Sequence, residues 1–168
     1  MDSRGVSPMI ATIVLIAIVF AVAAILALSL ASAPQPSVIF GGQLSLENVE
    51  SGRTVIVIKH TYGDRANDAV TVRLSENGLI TQFAWKNLEM RVNGATSGIT
   101  IQKVISGGTS YALNDNGLQK GLADNTNLSL VGGDQIQVHL TNPLTIGAKV
   151  SLKWVPKNQT LIEREVNY

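Results

Sequence analysis

The chain has 168 residues, a formal net charge of +1 and no cysteine. Charged residues make up 15% of the sequence, which is below the roughly 25% typical of globular domains. The balanced charge argues against a nucleic-acid binder driven by phosphate contacts, and the lack of cysteine excludes disulfide scaffolds and thiolate chemistry. The length suits one domain with, at most, a short additional segment.

The shortage of charge is concentrated near the amino terminus, where residues 5–46 contain no charged side chain. Of the 23 residues from Met9 to Ala31, 21 are apolar. A helix of that length spans roughly 34 Å, and a bilayer core is about 30 Å thick. We therefore expect a long hydrophobic helix over residues 6–33, with Ser7 and Pro8 at its start and a linker at residues 34–37.

Three interpretations of this helix are open. It can be a secretory signal peptide cut after Ala31-Ser32-Ala33, although its apolar stretch exceeds the roughly 7 to 15 residues typical of such peptides. It can be a permanent membrane anchor, oriented by Arg4 so that the rest of the chain lies outside. The third interpretation is a helix preceded by a very short leader, because the basic residue directly precedes it.

The residues in front of the helix favour the third interpretation. The string Arg4-Gly5-Val6-Ser7-Pro8, followed by an uninterrupted apolar helix, resembles the class III signal peptide of archaeal type IV pilins. The resemblance implies that residues 1–5 are a leader and that a prepilin peptidase cuts between Gly5 and Val6. Bacterial pilins carry glutamate at the fifth mature position, where this chain has Ile10, so subunit register would depend on helix packing.

The remaining residues, 38–168, alternate between apolar and polar in the manner of half-buried strands. In Lys149–Trp154, for example, Val150, Leu152 and Trp154 fall on one face. Strands are predicted at 43–48, 54–60, 69–74, 80–85, 89–92, 99–105, 128–131, 135–140, 149–154 and 160–166. Dipeptides such as Asn77-Gly78 supply turns between them. The fold class we expect is α+β, a long N-terminal hydrophobic helix followed by an antiparallel sandwich or barrel of about 8 to 10 strands.

Two patterns in this region also resemble archaeal pilin head domains. The first is a strand followed by His60-Thr61-Tyr62-Gly63-Asp64, and the second is a strand that begins with Gly133-Asp134. Near the end of the chain, Trp154–Asn158 and the strand after it are predicted to form a hairpin.

No constellation of catalytic or metal-binding residues is evident in the sequence. The histidines His60 and His139 are far apart, and we expect both to be surface or turn residues. Asp64 is expected to cap a turn, and Asn114–Gly117 to be a bare turn without a calcium ion. We therefore expect no enzyme activity, no cofactor and no metal.

The resemblance and the helix together predict a structural subunit of an extracellular, type IV pilus-like filament that mediates adhesion. The precursor would be held in the cytoplasmic membrane by its helix, and after cleavage the helices of many copies would pack in the filament core. Prepilin peptidase, an assembly ATPase and a membrane platform protein are the partners that the resemblance implies, and no nucleic acid is expected. The expected packing positions are Ile10, Ile13, Ala17, Phe20, Ala24 and Leu28.

Other functions remain alternatives at this stage. One is the subunit of the rotating archaeal filament, an archaellin, and another is a single-span surface protein with a β ectodomain. A secreted hydrolase is the weakest alternative, because no sequence motif indicates catalytic residues.

Asn127 and Asn158 each begin a sequon for N-glycosylation, Asn127-Leu128-Ser129 and Asn158-Gln159-Thr160.

Overall fold

The computed structural model of the protein describes residues 8–31 and 40–167, with helix side chains given for residues 10–25. The chain divides into two units, Met1–Val38 and Ile39–Tyr168. The first contains helix α1, Pro8–Ala31, and the second, here called the β unit, contains eleven described strands and a short 3-10 helix, Val155–Lys157. The strands are β1 Gln43–Glu47, β2 Val55–Tyr62, β3 Ala66–Leu74, β4 Ile80–Trp85, β5 Leu88–Val92, β6 Ile99–Ser106, β7 Thr109–Ala112, β8 Asn127–Leu130, β9 Gln135–Leu140, β10 Lys149–Trp154 and β11 Gln159–Glu165.

Helix α1 forms where the sequence is apolar and free of glycine. It begins at Pro8, a residue that suits the first turn because its missing N–H is not needed there. Alanine and leucine are strong helix formers, and the β-branched residues between them are tolerated. Apolar side chains occur on all sides of the helix, so it has no polar face.

The predicted α+β fold class, with its long membrane-spanning helix, is wrong. Within residues 8–31 and 40–167, no helix combines the length and apolar character needed to cross a membrane. The described chain is instead mostly β, with three antiparallel sheets and one α-helix.

The three sheets replace the two-sheet sandwich or closed barrel that we expected. One has five strands in the order β1-β2-β9-β6-β7, and the other two have three strands each, β11-β10-β5 and β4-β3-β8. All strand pairs are antiparallel. The central pairing joins β2 to β9, with Ile58 opposite Ile136, although these strands are far apart in sequence.

The core of the β unit is a single cluster of buried apolar residues to which all three sheets contribute. Strands β9 and β10 bury every second residue, as their alternation predicts. The fully buried members include Ile56, Ile58, Val70, Val72, Ile80, Leu88, Met90, Ile136, Val150 and Leu152. Burying an aliphatic side chain of this size contributes about 1.5–3 kcal/mol, so the β unit has its own source of stability.

Most of the predicted strands are confirmed. The bounds of β4, β9 and β10 are those predicted, and seven other strands differ by a few residues at their ends. Strand β7 was not predicted from the sequence. The predicted C-terminal hairpin is confirmed, since β10 and β11 pair across the 3-10 helix and Asn158, which adopts a left-handed conformation with φ 49°.

Candidate functional site

The surface of helix α1 is the first candidate site. All 16 described side chains, residues 10–25, are exposed. Ten of them are large apolar residues with exposed fractions between 50% and 72%, and Phe20 is the most exposed. A surface of this kind in water is unfavourable, because burying each such side chain would stabilise by about 1.5–3 kcal/mol. The helix therefore presents a surface that needs a covering partner.

The expected packing positions lie together on this helix. With 3.6 residues per turn, Ile10, Ile13, Ala17, Phe20 and Ala24 fall within an arc of about 80°. Ala17 and Ala24 are small, which allows a second helix to approach closely between the larger side chains. The remaining expected position, Leu28, is in α1, but its side chain lies outside those described.

Of the expected cleavage residues, Pro8 is the first residue of α1, and Arg4, Gly5, Val6 and Ser7 lie outside the described residues.

The second candidate site is the point at which the chain joins the β unit, at Phe40. The ring of Phe40 stacks on Trp154, with ring centroids 5.1 Å apart, and meets His60 edge-on at 6.2 Å. Its backbone N–H donates to the side-chain oxygen of Gln159 at 3.3 Å. We call this arrangement of Phe40, His60, Asp64 and Trp154 the neck clamp.

The neck clamp explains the burial of His60, which corrects our expectation of a surface histidine. The side chain of His60 is fully buried on the same face of β2 as Ile56 and Ile58. Its Nε2 lies 2.8 Å from the backbone oxygen of Asp64. Since a carbonyl oxygen only accepts, we assign the proton to Nε2. The other ring nitrogen, Nδ1, is buried and has no hydrogen-bond partner among the described residues.

The Gly63-Asp64 turn closes the neck clamp from the other side. One carboxylate oxygen of Asp64 accepts a hydrogen bond from the N–H of Gly41 at 3.2 Å. Asp64 therefore accepts from a backbone amide 23 residues earlier in the chain, instead of capping its own turn as we expected. Gly63 has φ +94°, and a Cβ built there would lie 2.7 Å from the oxygen of Gly41. Only glycine lets residues 41 and 42 pass this close to the turn.

A buried aspartate supports the same end of the β unit. Asp134 is 3% exposed, and one of its carboxylate oxygens accepts hydrogen bonds from the N–H groups of Gly107 and Val131, both at 2.9 Å. Its backbone oxygen accepts from the N–H of His60 at 2.9 Å. The Gly133-Asp134 pattern thus has a structural role, because it satisfies loop amides where β2, β6 and β9 meet.

The turn at Asn114–Gly117 is stabilised by side chains. One carboxylate oxygen of Asp115 accepts from Lys120 at 2.6 Å and from the N–H of Ala112 at 2.9 Å. Lys120 also donates to the backbone oxygen of Ser110 at 2.7 Å. Two hydrogen bonds lower the pKa of the Asp115 carboxyl below its usual value. The larger effect comes from the Lys120 ammonium and the smaller from the N–H of Ala112.

The two sequons differ in their surroundings. Asn127 is the exposed first residue of β8, and its side-chain oxygen accepts from the hydroxyl of Thr71 at 2.8 Å. Ser129 of the same sequon accepts a hydrogen bond from the N–H of Asp68 at 3.0 Å. Asn158 is exposed at the tip of the β10–β11 hairpin, outside any strand. Both asparagines are exposed, and they differ in that Asn127 lies in a strand with its side chain hydrogen-bonded and Asn158 lies in a turn.

Among residues 8–31 and 40–167, no group of three or more histidine, aspartate or glutamate residues is placed to hold a metal ion. His139 is half-buried on the polar face of β9, as expected. Comparison of the chain with protein-family models, curated proteins and solved structures finds no match.

Proposed function

We propose that the protein is a structural subunit of an extracellular, type IV pilus-like filament, assembled through helix α1. The observation that carries this proposal is the exposure of every described side chain on α1, nearly all of them apolar. The string Arg4–Pro8 supports it by resemblance to archaeal pilins. The β unit, with its own core, supplies the outer part of each subunit.

The chemistry of the helix favours other copies of the same helix as its cover. Ten exposed large apolar side chains would gain on the order of 10 kcal/mol from burial, enough to drive association. Alanines between them let two helices interlock closely. A helix that is apolar on all sides can contact several neighbours at once, and head-to-tail contacts of this kind extend into a fibre instead of closing.

The test is filament formation by the chain expressed with a prepilin peptidase, an assembly ATPase and a platform protein, followed by shearing and electron microscopy. Phe20→Asp should abolish fibres, because a carboxylate cannot be buried in an apolar helix contact without a large penalty. Leu118→Asp is the matched control, since Leu118 is also an exposed apolar residue, 59% exposed, but lies in the β unit. Normal fibres from Phe20→Asp would contradict the proposal.

Processing gives a second and independent check. Mass spectrometry of the subunit in sheared fibres should find Val6 at the amino terminus. Gly5→Trp should leave an uncut precursor and no fibres, because a bulky side chain would occupy the position that the peptidase must accommodate. Ser3→Trp, which places the same side chain two residues earlier, serves as its control. Fibres whose subunits begin at Met1 or Pro34 would contradict the proposed leader.

A further inference from the structure

A cleft of about 260 Å³ lies between two loops of the β unit, residues 93–98 and 141–148. Its apolar lining includes Ile99, Leu140 and Pro143, and its polar lining includes Ser97, Asn142 and Thr145. None of the described residues that line it has a charged side chain. The volume is slightly below the roughly 300 Å³ at which ordinary small-molecule pockets begin, so a ligand of one or two small rings would fit.

The cleft and the neck clamp lie at opposite ends of the β unit. In β10, Val150 pairs with Val92 beside the cleft, and Trp154 pairs with Leu88 at the neck clamp. Val150 and Trp154 are four residues apart in this strand, which corresponds to about 13 Å. The chain joins the β unit at the neck clamp, so the cleft is at the end far from that junction.

Hydrogen bonds fix the positions of the segments that form the two sides of the cleft. Residue 93 is tied to β10, since the N–H of Asn93 donates to the oxygen of Lys149 at 2.8 Å and its side-chain oxygen accepts from the N–H of Lys149 at 2.9 Å. Across the cleft, the N–H of Thr141 donates to the oxygen of Gly98 at 2.8 Å. A preformed site of this kind saves the ligand most of the entropic penalty of ordering loops.

The polar side chains at the rim are available to a ligand. Ser97, Asn142 and Thr145 are exposed, and their side chains have no hydrogen-bond partner among the described residues. Together they offer a carboxamide, which both donates and accepts, and two hydroxyl groups. Beneath them the lining is apolar. The ligand that matches has no net charge, several hydroxyl groups and a C–H face that can rest on Pro143 and Ile99.

We propose that this cleft binds a neutral sugar, a hexose unit at the end of a glycan. A pyranose ring combines hydroxyl groups around its edge with an apolar C–H face, which is the pattern of the cleft. A charged sugar would lose hydration without meeting an opposite charge. If the protein forms the proposed filament, the cleft would be its adhesive site. That biological role rests on the proposed function, but the binding of a sugar does not.

The experiment is saturation-transfer NMR with the full-length chain, kept as a non-assembled species in a zwitterionic detergent that contains no sugar. The probes are the methyl glycosides of glucose, galactose and mannose, with glucuronic acid as the charged comparison. At least one neutral probe should receive saturation at millimolar concentration, and glucuronic acid should not. Absence of transfer to all neutral probes, or stronger transfer to glucuronic acid, would overturn the proposal.

Variants locate the binding. Asn142→Ala should weaken the affinity for the neutral probe about fivefold or more, because one hydrogen bond to the sugar is lost, and Ser97→Trp should abolish binding by filling the cleft. Gln119→Ala is the matched control, since Gln119 is an exposed carboxamide outside the cleft. Binding that persists in Ser97→Trp with an unchanged melting temperature would overturn the site. Because the assay needs no fibres, failure of filament assembly and failure of sugar binding give separate results.

Discussion

Gly63 shows how a single residue fixes the position of the first described residues of the β unit. Its left-handed backbone and its lack of Cβ both matter, because residues 41 and 42 cross directly over it. Asp64 and His60 then hold that crossing with one hydrogen bond each, from Gly41 to the carboxylate and from the ring to the backbone of Asp64. The sequence pattern His60-Thr61-Tyr62-Gly63-Asp64 is therefore a compact structural motif.

The role of Gly63 can be separated from simple backbone strain. Gly133 has nearly the same φ, +95°, but nothing lies within 4 Å of a Cβ built there. Gly133→Ala should therefore lower the free energy of unfolding by about 1–2 kcal/mol, the penalty of the left-handed conformation. Gly63→Ala should lower it by at least about 1 kcal/mol more, because residue 41 must also shift. Urea denaturation measures the free energy of unfolding of both variants. Equal decreases in the two variants would contradict the close contact between Gly63 and residues 41 and 42.

Asp115 provides a pH-dependent prediction at the same scale. Its folded pKa is lowered from 3.8 by Lys120, so the carboxylate contributes stability above the unfolded pKa and loses it as the pH falls through the folded pKa. NMR titration should place its midpoint below 3.8. Lys120→Met should raise that midpoint, and Lys157→Met, which changes a lysine on the 3-10 helix, should leave it in place. An unchanged midpoint in Lys120→Met would be inconsistent with the pair.

At the scale of the elements, period-two alternation predicted most strands because one face of each strand is buried in the core. The same alternation contained the signal for His60, since Ile56, Ile58 and His60 are two residues apart and face the same way. Its polar character led us to expect a surface position. Strand β7 lacked this signal because it has four residues, none of them fully buried.

The alternation of apolar and polar residues did not predict which strands pair with each other in the sheets. The pairing of β2 with β9 and of β5 with β10 joins segments far apart in the chain, and periodicity in one segment carries no information about its neighbour. The expectation of a membrane-spanning helix depended on a count of apolar residues, and no helix among the described residues has the length and apolar character needed to cross a membrane. The cleft was also missed, since its lining comes from two loops without any motif.

The two sequons lie in different secondary structure, Asn158 in a hairpin turn and Asn127 in a strand, and this difference predicts which of them carries a glycan. An oligosaccharide transferred to the folded chain requires an accessible, locally adjustable segment. Asn158 at the hairpin tip should therefore be occupied, and Asn127, whose sequon is held in β8 by Thr71 and Asp68, should be largely empty. Glycopeptide mass spectrometry of the protein from its native host measures both. Asn158→Gln should remove most of the attached sugar, and occupancy confined to Asn127 would contradict this prediction.

At the scale of the whole molecule, the described chain has an exposed apolar helix and a unit with its own buried core. All the buried apolar residues identified in the described chain lie between Phe40 and Val166. The helix supplies exposed apolar surface and the β unit supplies rigidity.

This division predicts independent behaviour of the two units. A chain of residues 40–168 should fold and unfold in one cooperative transition, and Phe20→Asp in the full chain should leave the melting temperature of the β unit unchanged. Ile136→Ala should lower the free energy of unfolding by about 2–5 kcal/mol, because it leaves a cavity where β2, β6 and β9 meet. Calorimetry with circular dichroism measures these values. A β unit that remains unfolded without residues 1–39 would refute the separation.

The neck clamp also determines how the β unit responds to a mechanical pull. Tension applied to the chain ahead of Phe40 reaches the aromatic stack on Trp154 and the bond from Gly41 to Asp64 before it reaches the ladder between β1 and β2. Trp154 belongs to β10, whose partner β11 binds β1 through Arg164, which donates to the oxygen of Leu46 at 2.8 Å. The first and last strands of the β unit are therefore linked to each other, so we expect a pull on the chain ahead of Phe40 to act on both.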